Sequence, residues 1–215
     1  MRAVVTGAAR GIGKAVADRL ESGGFDVLRV DLADGFVADV TSAEARARVV
    51  EAAGPVDVLV NNAGITKDAR IVKMTEEAFL AVIRVNLGAA YELTRALALN
   101  DGASVVSLAS RAYLGNFGQF NYSASKGGLV GMTRALALEL APRVRVNAIA
   151  PSLTASEMTR AMPEHVLEKM IASIPLGRQA EPEEIAETIA ALASPATAYV
   201  TGQVLVACGG RSLAP

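Results

Sequence analysis

Thr6-Gly7-Ala8-Ala9-Arg10-Gly11-Ile12-Gly13 decides the fold of this chain, because it joins a β-branched run over residues 2–6 to a helical apolar stripe over residues 14–20. Glycine at such a strand-to-helix turn lets the backbone approach a pyrophosphate closely. The first N–H groups of the helix then face the phosphates. The stretch therefore predicts a dinucleotide site, although glycines with this spacing also form ordinary turns. The residues expected to line the site are Gly7, Arg10, Gly11, Ile12 and Gly13.

Asp31 ends the second strand-like run, 18 residues after Gly13. A carboxylate at this position can accept hydrogen bonds from both hydroxyls of an adenosine ribose. It would also repel a 2′-phosphate, which favours NAD over NADP. Arg10 points the other way, because it could pair with a 2′-phosphate, whereas Leu32 adds no second positive charge. NAD is therefore the favoured cofactor and NADP the alternative.

Strand-like and helical patterns alternate along the whole chain. The expected strands cover residues 2–6, 26–31, 36–38, 56–61, 104–109, 144–149 and 203–206. The expected helices cover residues 14–20, 41–53, 75–99, 120–140 and 181–194, with mixed helix and loop over 158–174. This alternation predicts an α/β fold: a single Rossmann-like, doubly wound parallel sheet with helices on both faces. Without a repeat or linker in the pattern, residues 1–215 are expected to form one domain.

Composition excludes several classes of function. Lys and Arg number 21 against 22 Asp and Glu, so no polybasic surface for nucleic acid or an anionic membrane is expected. Cys208 is the single cysteine and His165 the single histidine, which argues against a disulfide, a metal centre or a Ser-His-Asp triad. No apolar run reaches the ~18 residues of a membrane span, and the first strand follows Met1 too closely for a signal peptide. We expect a cytoplasmic protein without bound metal.

Tyr122 and Lys126 are four residues apart in an expected helix and so project from the same face. A nearby ammonium group favours the phenolate and lowers the pKa of a tyrosine from its usual value near ~10. Such a tyrosine can exchange a proton with an alcohol or carbonyl oxygen. An isolated pair with this spacing more often consists of a core tyrosine and a solvated lysine, so the interpretation depends on the rest of the chain.

The combined pattern resembles the classical short-chain dehydrogenase/reductase family over residues 6–210. The residues that carry the resemblance are Thr6 to Gly13, Asp39-Val40, Asn61-Asn62-Ala63-Gly64, Asn86, Ser110, Tyr122, Lys126 and the segment from Pro151 to Met158. The sequence departs from the family pattern at Ser152 in place of glycine, at Ser156 in place of threonine and at Cys208 in place of aspartate. Ser110 precedes Tyr122 by 12 positions, one fewer than is common. Ser107, inside the strand expected over residues 104–109, is a less favoured alternative to Ser110 as the serine that acts with Tyr122.

The resemblance implies hydride transfer between a nicotinamide and a carbonyl or alcohol carbon. Tyr122 would be the proton donor and Ser110 would bind the same substrate oxygen. Lys126 would lower the pKa of Tyr122 and bind the nicotinamide ribose, and Asn86 would hold a water that links Lys126 to solvent. By the same resemblance Asp39 would meet the adenine amino group. The other implied cofactor contacts are Val40, Asn62, Ala63, Gly64, Tyr122, Pro151, Ser152 and Ser156.

Residues 115–119 and 199–202 most resemble 3-oxoacyl-[acyl-carrier-protein] reductases, so a 3-oxoacyl thioester is the expected substrate. The alternatives are a dehydrogenase of another small alcohol (a sugar, a steroid-like or a 3-hydroxyacyl-CoA alcohol) and a non-catalytic dinucleotide sensor. Such sensors typically lose the tyrosine or the lysine, and this chain has both. The helices over residues 75–99 and 120–140 are apolar on more than one face, and the family usually forms homotetramers through them. A homotetramer is therefore expected.

Overall fold

A seven-stranded parallel sheet organises the structure, a computed structural model that describes residues 1–213. Its strands are β1 (Arg2–Thr6), β2 (Asp26–Asp31), β3 (Phe36–Val37), β4 (Val56–Asn61), β5 (Leu99–Leu108), β6 (Arg145–Pro151) and β7 (Val204–Ala207). The order is β3-β2-β1-β4-β5-β6-β7, and every neighbouring pair is parallel. The order reverses between β1 and β4, so a crevice opens there at the carboxyl ends of the strands. The predicted doubly wound α/β fold is confirmed.

Helices cover both faces of the sheet. They are α1 (Gly11–Ser22), α2 (Ala43–Ala53), α3 (Glu76–Ile83), α4 (Ala89–Ala96), α5 (Phe120–Leu140), α6 (Glu157–Arg160), α7 (Glu164–Ala172) and α8 (Pro182–Ala193). Short 3-10 turns lie at Ile71–Lys73, Arg111–Leu114 and Pro195–Thr197. One face carries α1 and α8, and the other carries α2, α4 and α5. The core between these layers consists mainly of Ala, Val and Leu side chains, whose small size lets the helices lie close to the sheet. No helix of the described chain is both long and apolar enough to cross a membrane.

The single helix expected over residues 75–99 is wrong in two respects. It consists of α3, one π-helical turn at Arg84–Gly88, and α4. The helix also ends at Ala96, because Leu97 has an extended backbone with ψ 141°. A π turn inserts one extra residue into the helical ladder, and such turns occur frequently at functional sites. Hydrophobic periodicity detects the apolar face of a helix and carries no signal for this insertion.

The fifth strand also begins earlier than the sequence predicts. Leu99 already pairs with Val56, and the next pair is Ser104 with Val58. Residues 100–103 therefore bulge out opposite a single residue of β4. Gly102 makes this possible with φ +86°, a backbone conformation that other residues rarely adopt. The irregular backbone over residues 100–103 thus lies inside the strand and not before it.

Candidate functional site

The glycine-rich turn after β1 is closed by direct backbone contact. A methyl group added at Gly13 would lie 1.9 Å from the carbonyl oxygen of Gly7, so only glycine fits there. Asn62, the residue directly after β4, donates from Nδ2 to the carbonyl oxygens of Thr6 and Gly7, both at 2.9 Å. Gly11 begins α1 with φ +54°, and no atom lies within 4 Å of the position its Cβ would take. The turn is thus tightly packed on its protein side and open above the start of the helix.

The Asp31 carboxylate is held by three backbone N–H groups. Oδ2 accepts from Ala9 at 3.0 Å, and Oδ1 accepts from Leu32 at 2.7 Å and Ala33 at 3.2 Å. These bonds fix a negative charge at the end of β2, beside the turn. Arg10 forms an exposed ion pair with Glu157 at 3.1 Å. Exposed pairs are weak, so this contact leaves the Arg10 guanidinium available to a ligand phosphate.

Asp39 and Val40 follow the short third strand and have different surroundings. The exposed Asp39 carboxylate accepts from the N–H of Thr41 at 2.9 Å and from its hydroxyl at 2.7 Å. Val40 is buried and packs in the core. This arrangement leaves Asp39 in solvent and makes Val40 part of the floor beneath the crevice.

The loop after β4 connects the glycine turn to the residues on α5. The Thr6 hydroxyl accepts from the N–H groups of Asn62 at 3.1 Å and Ala63 at 3.0 Å. A methyl group at Gly64 would lie 3.3 Å from Asn86 Oδ1 and 3.6 Å from Lys126 Nζ. Gly64 therefore lies at the point where the two halves of the site meet.

Asn86 lies in the π turn, is only 1% exposed, and has a fully engaged side-chain amide. Oδ1 accepts from the N–H of Ile65 at 2.8 Å, and Nδ2 donates to Ile65 O and Ser125 Oγ, both at 3.0 Å. Both amide hydrogens are thus used. Within the side chain, a water held at this residue could therefore bind only to Oδ1, which has one further lone pair.

Ser110, Tyr122 and Lys126 converge at the carboxyl end of β5. The Ser110 hydroxyl lies close enough to Tyr122 to lower the pKa of its phenol, and Ser110 also caps the 3-10 turn at Arg111–Leu114. Lys126 Nζ lies 5.5 Å from the centre of the Tyr122 ring and donates to the Leu108 carbonyl at 2.6 Å. The alternative Ser107 is fully buried in β5 and has no hydrogen-bond partner for its hydroxyl. The structure therefore brings Ser110 to Tyr122.

The pKa of Tyr122 is shifted in the opposite direction to the one that the sequence predicts. Burial raises the pKa of Tyr122, the nearby Ser110 hydroxyl lowers it, and the negative charge of Asp68 raises it further. Burial also lowers the pKa of Lys126 to about 8. The expected lowering of the Tyr122 pKa by Lys126 is thus not found: loss of water around the phenol outweighs the effect of Ser110, and Lys126 is not among the groups that shift this pKa. Tyr122 is held in its protonated form at neutral pH, as a proton donor requires.

The segment after β6 supplies the remaining predicted contacts. Pro151 is the buried last residue of β6, and the Ser152 hydroxyl lies 3.5 Å from Nη1 of Arg211. Ser156 caps α6, since its hydroxyl accepts from the N–H of Thr159 at 3.1 Å. Serine in place of threonine therefore keeps a hydroxyl at this position, and part of its bonding capacity is used by the cap.

The comparisons with known proteins agree over nearly the full chain. Residues 7–212 match the family model described as enoyl-(acyl carrier protein) reductase. The chain is 41% identical to 3-oxoacyl-[acyl-carrier-protein] reductase FabG of Thermotoga maritima, covering 96% of both proteins. It is 42% identical to acetoacetyl-CoA reductase of Shinella zoogloeoides, covering 97% of both. A short-chain dehydrogenase/reductase of Brucella melitensis, titled a glucose/ribitol dehydrogenase, superposes with a TM-score of 0.92 at 33% identity, covering 98% of this chain and 96% of that one.

The chain belongs to the short-chain dehydrogenase/reductase family. It is an NAD(P)-dependent oxidoreductase that acts on C=O and CH–OH groups. The glycine turn fits the cofactor, because open space above Gly11 lies next to a helix N-terminus and a fixed carboxylate at Asp31. When bound, the nicotinamide accepts or supplies the hydride. Among residues 1–213, no group of three or more His, Cys, Asp and Glu side chains could hold a metal ion.

Sequence reasoning missed several residues that hold this reductase site together. Thr6 joins β1 to the loop after β4, and Ser125 binds Asn86 on one side and the Tyr122 carbonyl on the other. Asn121 is fully buried and donates to the Lys67 carbonyl at 2.9 Å, which ties the start of α5 to the loop after β4. Ser125 lies one residue before Lys126 and Asn121 one before Tyr122, and polar residues at buried helix positions were the available signal.

Proposed function

We propose that this protein reduces 3-oxoacyl thioesters to 3-hydroxyacyl thioesters with NADH and catalyses the reverse reaction on the alcohol. One observation carries the chemistry: the Ser110 hydroxyl lies close enough to Tyr122 to lower the pKa of its phenol, and the buried Lys126 Nζ lies 5.5 Å from the centre of the Tyr122 ring. The names of the FabG and acetoacetyl-CoA reductase relatives support the substrate class. The whole described chain contributes to one sheet, which supports its action as one domain over residues 1–215.

The proposed roles follow from these contacts. During reduction, negative charge develops on the carbonyl oxygen, and Tyr122 neutralises it by donating its phenolic proton. Ser110 hydrogen-bonds the same oxygen and fixes its place. Lys126 uses one N–H on the Leu108 carbonyl, so its two remaining donors are available to the nicotinamide ribose hydroxyls. Asn86 positions this group by binding Ser125 and the backbone of Ile65.

The experiment that tests the function is a comparison of substrate classes. The protein is assayed for NADH oxidation with acetoacetyl-CoA and with the N-acetylcysteamine thioester of 3-oxohexanoic acid, and for NAD reduction with aldohexoses. The sugars are included because the Brucella melitensis structure is titled a glucose/ribitol dehydrogenase. We expect thioester turnover to exceed sugar oxidation by a wide margin. Faster oxidation of an aldohexose would instead assign the chain to the alternative, a small-alcohol dehydrogenase.

NAD is the cofactor that Asp31 favours. The carboxylate is held by three N–H groups at the end of β2, where it can bind the ribose hydroxyls and repel a 2′-phosphate. Arg10, paired only with Glu157 at the surface, is the group that would admit NADP.

Asp31→Asn is expected to shift the preference towards NADP. The amide keeps an oxygen for the backbone N–H groups but loses the charge, so the KM for NADH should rise about 10- to 100-fold while the KM for NADPH falls. Steady-state kinetics with both cofactors measure the change. Asp34→Asn is the matched control, because Asp34 is exposed and its carboxylate accepts only from the N–H of Gly35. An unchanged NADH-to-NADPH ratio in Asp31→Asn would remove the argument from Asp31.

A homotetramer in the cytoplasm remains our proposal for the assembled protein. Leu138 on α5 is 84% exposed and Tyr91 on α4 is 43% exposed, so both helices present apolar side chains beyond those that the sheet covers. Packing of α4 and α5 against other copies would bury them. Sedimentation velocity checks the assembly, and a monomer at micromolar concentration would contradict it.

A further inference from the structure

Two arginine side chains lie beside the candidate site and have no role in the chemistry described so far. Arg111 follows Ser110 directly, beyond the carboxyl end of β5, and Arg211 follows β7. The strand between them is β6. Nη1 of Arg211 lies 3.5 Å from the hydroxyl of Ser152, the residue after the last position of β6. Arg211 therefore reaches from the end of β7 to the end of β6, the strand next to β5.

Neither guanidinium has a counter-ion within residues 1–213. The ion pairs of the described chain all involve other residues. Both arginines are partly buried, and Nε of Arg111 is a buried donor without any hydrogen-bond acceptor. Burial lowers the pKa of Arg211, the positive charge of Arg111 lowers it further, and Cys208 raises it. Arginine stays charged in proteins, and two partly desolvated like charges are unfavourable unless an anion joins them.

The cofactor does not supply this anion. The glycine turn lies after β1 and the ribose carboxylate after β2, whereas the arginines lie beyond β5 and β7, on the other side of β4. A 2′-phosphate near Asp31 is farther away still. The pair instead lies next to Ser110, on the half of the crevice that remains for the substrate.

We propose that Arg111 and Arg211 bind an anionic group of the substrate, either a carboxylate or a phosphate monoester. This inference rests on the proposed thioester reduction and narrows its substrate class. The planar guanidinium fork binds carboxylate and phosphate oxygens in pairs, and the buried Nε of Arg111 gains its missing acceptor. The anion belongs either to the far end of the acyl chain or to the phosphopantetheine arm of the thioester.

The test compares matched thioesters with and without the anion. One pair consists of 3-oxohexanoyl and 3-oxoadipoyl N-acetylcysteamine thioesters, which differ in a terminal carboxylate. The other consists of 3-oxohexanoyl thioesters of pantetheine and 4′-phosphopantetheine. We expect kcat/KM to favour the anionic member of one pair about 10- to 100-fold, and the pair that shows it identifies the source of the anion.

Arg111→Gln and Arg211→Gln are expected to reduce this ratio to about 1. Arg143→Gln is the matched control. Arg143 lies at the opposite end of β6 and pairs with Asp101 at the surface, so its removal should leave the ratio unchanged. Equal kcat/KM values within both substrate pairs, or a preference that survives in both arginine variants, would overturn the proposal.

A binding measurement separates this inference from the proposed function. Titration calorimetry of the NADH-bound protein uses glutarate and inorganic phosphate as probes. The protein could bind one of these anions, lose that binding in Arg111→Gln and yet turn over no thioester. That result would support the anion site and contradict the proposed reaction. If thioesters are reduced and neither the kinetics nor the calorimetry detects the anion, the reaction stands and the anion site falls.

Discussion

Replacing Tyr122 with phenylalanine is expected to lower kcat for 3-oxoacyl thioester reduction about 1,000-fold, within the range that loss of a general acid produces. The substitution removes one oxygen and leaves the ring, so the packing beside Lys126 is retained. Ser110 keeps its bond from the N–H of Ala112 and stays in place. Affinity for NADH, measured by the change in its fluorescence, should change by no more than about twofold, because the phenol contributes to the chemical step more than to binding.

The pH dependence gives a second readout for the same residue. Burial raises the pKa of Tyr122, so the phenol is protonated and ready to donate across the neutral range. Oxidation of a 3-hydroxyacyl thioester needs the phenolate, and its kcat/KM should therefore rise as the pH increases towards the raised pKa. This rise should be absent from the residual activity of Tyr122→Phe. Tyr199→Phe serves as the control, because Tyr199 is fully exposed at the amino-terminal side of β7 and should behave like the parent. Equal reduction rates in Tyr122→Phe and the parent would show that the proton comes from another group.

The sequence predicted the sheet because each strand has a pattern that can be recognised in its own residues. Runs such as Val56–Asn61 are β-branched and end in glycine or asparagine, and the intervening stripes have helical periodicity. The prediction failed where long-range contacts determine the backbone. The π turn around Asn86 depends on bonds to Ile65 and Ser125, which lie 21 and 39 residues away in the chain. The bulge over residues 100–103 likewise depends on the pairing of β5 with β4.

The candidate site likewise has features that local sequence predicts and features that depend on distant parts of the chain. Tyr122 and Lys126 are one helical turn apart, so their proximity follows from the sequence alone. The partners of Asp31 do not, because one of its three N–H donors comes from Ala9 in another loop. The direction of the Tyr122 pKa was mispredicted because spacing reveals a nearby charge but not the loss of water around the phenol. Arg111 and Arg211, 100 positions apart in the chain, come to the same edge of the sheet only through the order of the strands.

Replacing Lys126 with methionine is expected to abolish most activity and to stabilise the cofactor-free protein at neutral pH. Lys126 is 3% exposed, and its ammonium group has one hydrogen bond, to the Leu108 carbonyl. Burial lowers its pKa to about 8 in the folded state, against about 10.4 in the unfolded chain. Between these values the unfolded chain binds a proton that the folded protein does not bind, so the parent gains stability as the pH rises. The buried ammonium group lowers the stability of the protein but is needed for activity, a trade-off that is common in enzymes.

The free energy of unfolding in urea measures this effect between pH 7.5 and pH 10. The stability advantage of Lys126→Met over the parent should be larger by about 2 kcal/mol at pH 7.5 than at pH 10, since groups that both proteins share cancel in the difference. Loss of the bond to the Leu108 carbonyl changes the stability of Lys126→Met by about 1–3 kcal/mol. This contribution is the same at every pH in this range, so it does not affect the comparison. Lys73→Met is the control, because Lys73 is exposed and its replacement should give a difference that does not change with pH. A pH-independent difference for Lys126→Met would mean that Lys126 titrates in the folded protein as it does in the unfolded chain, and the argument from its burial would fail.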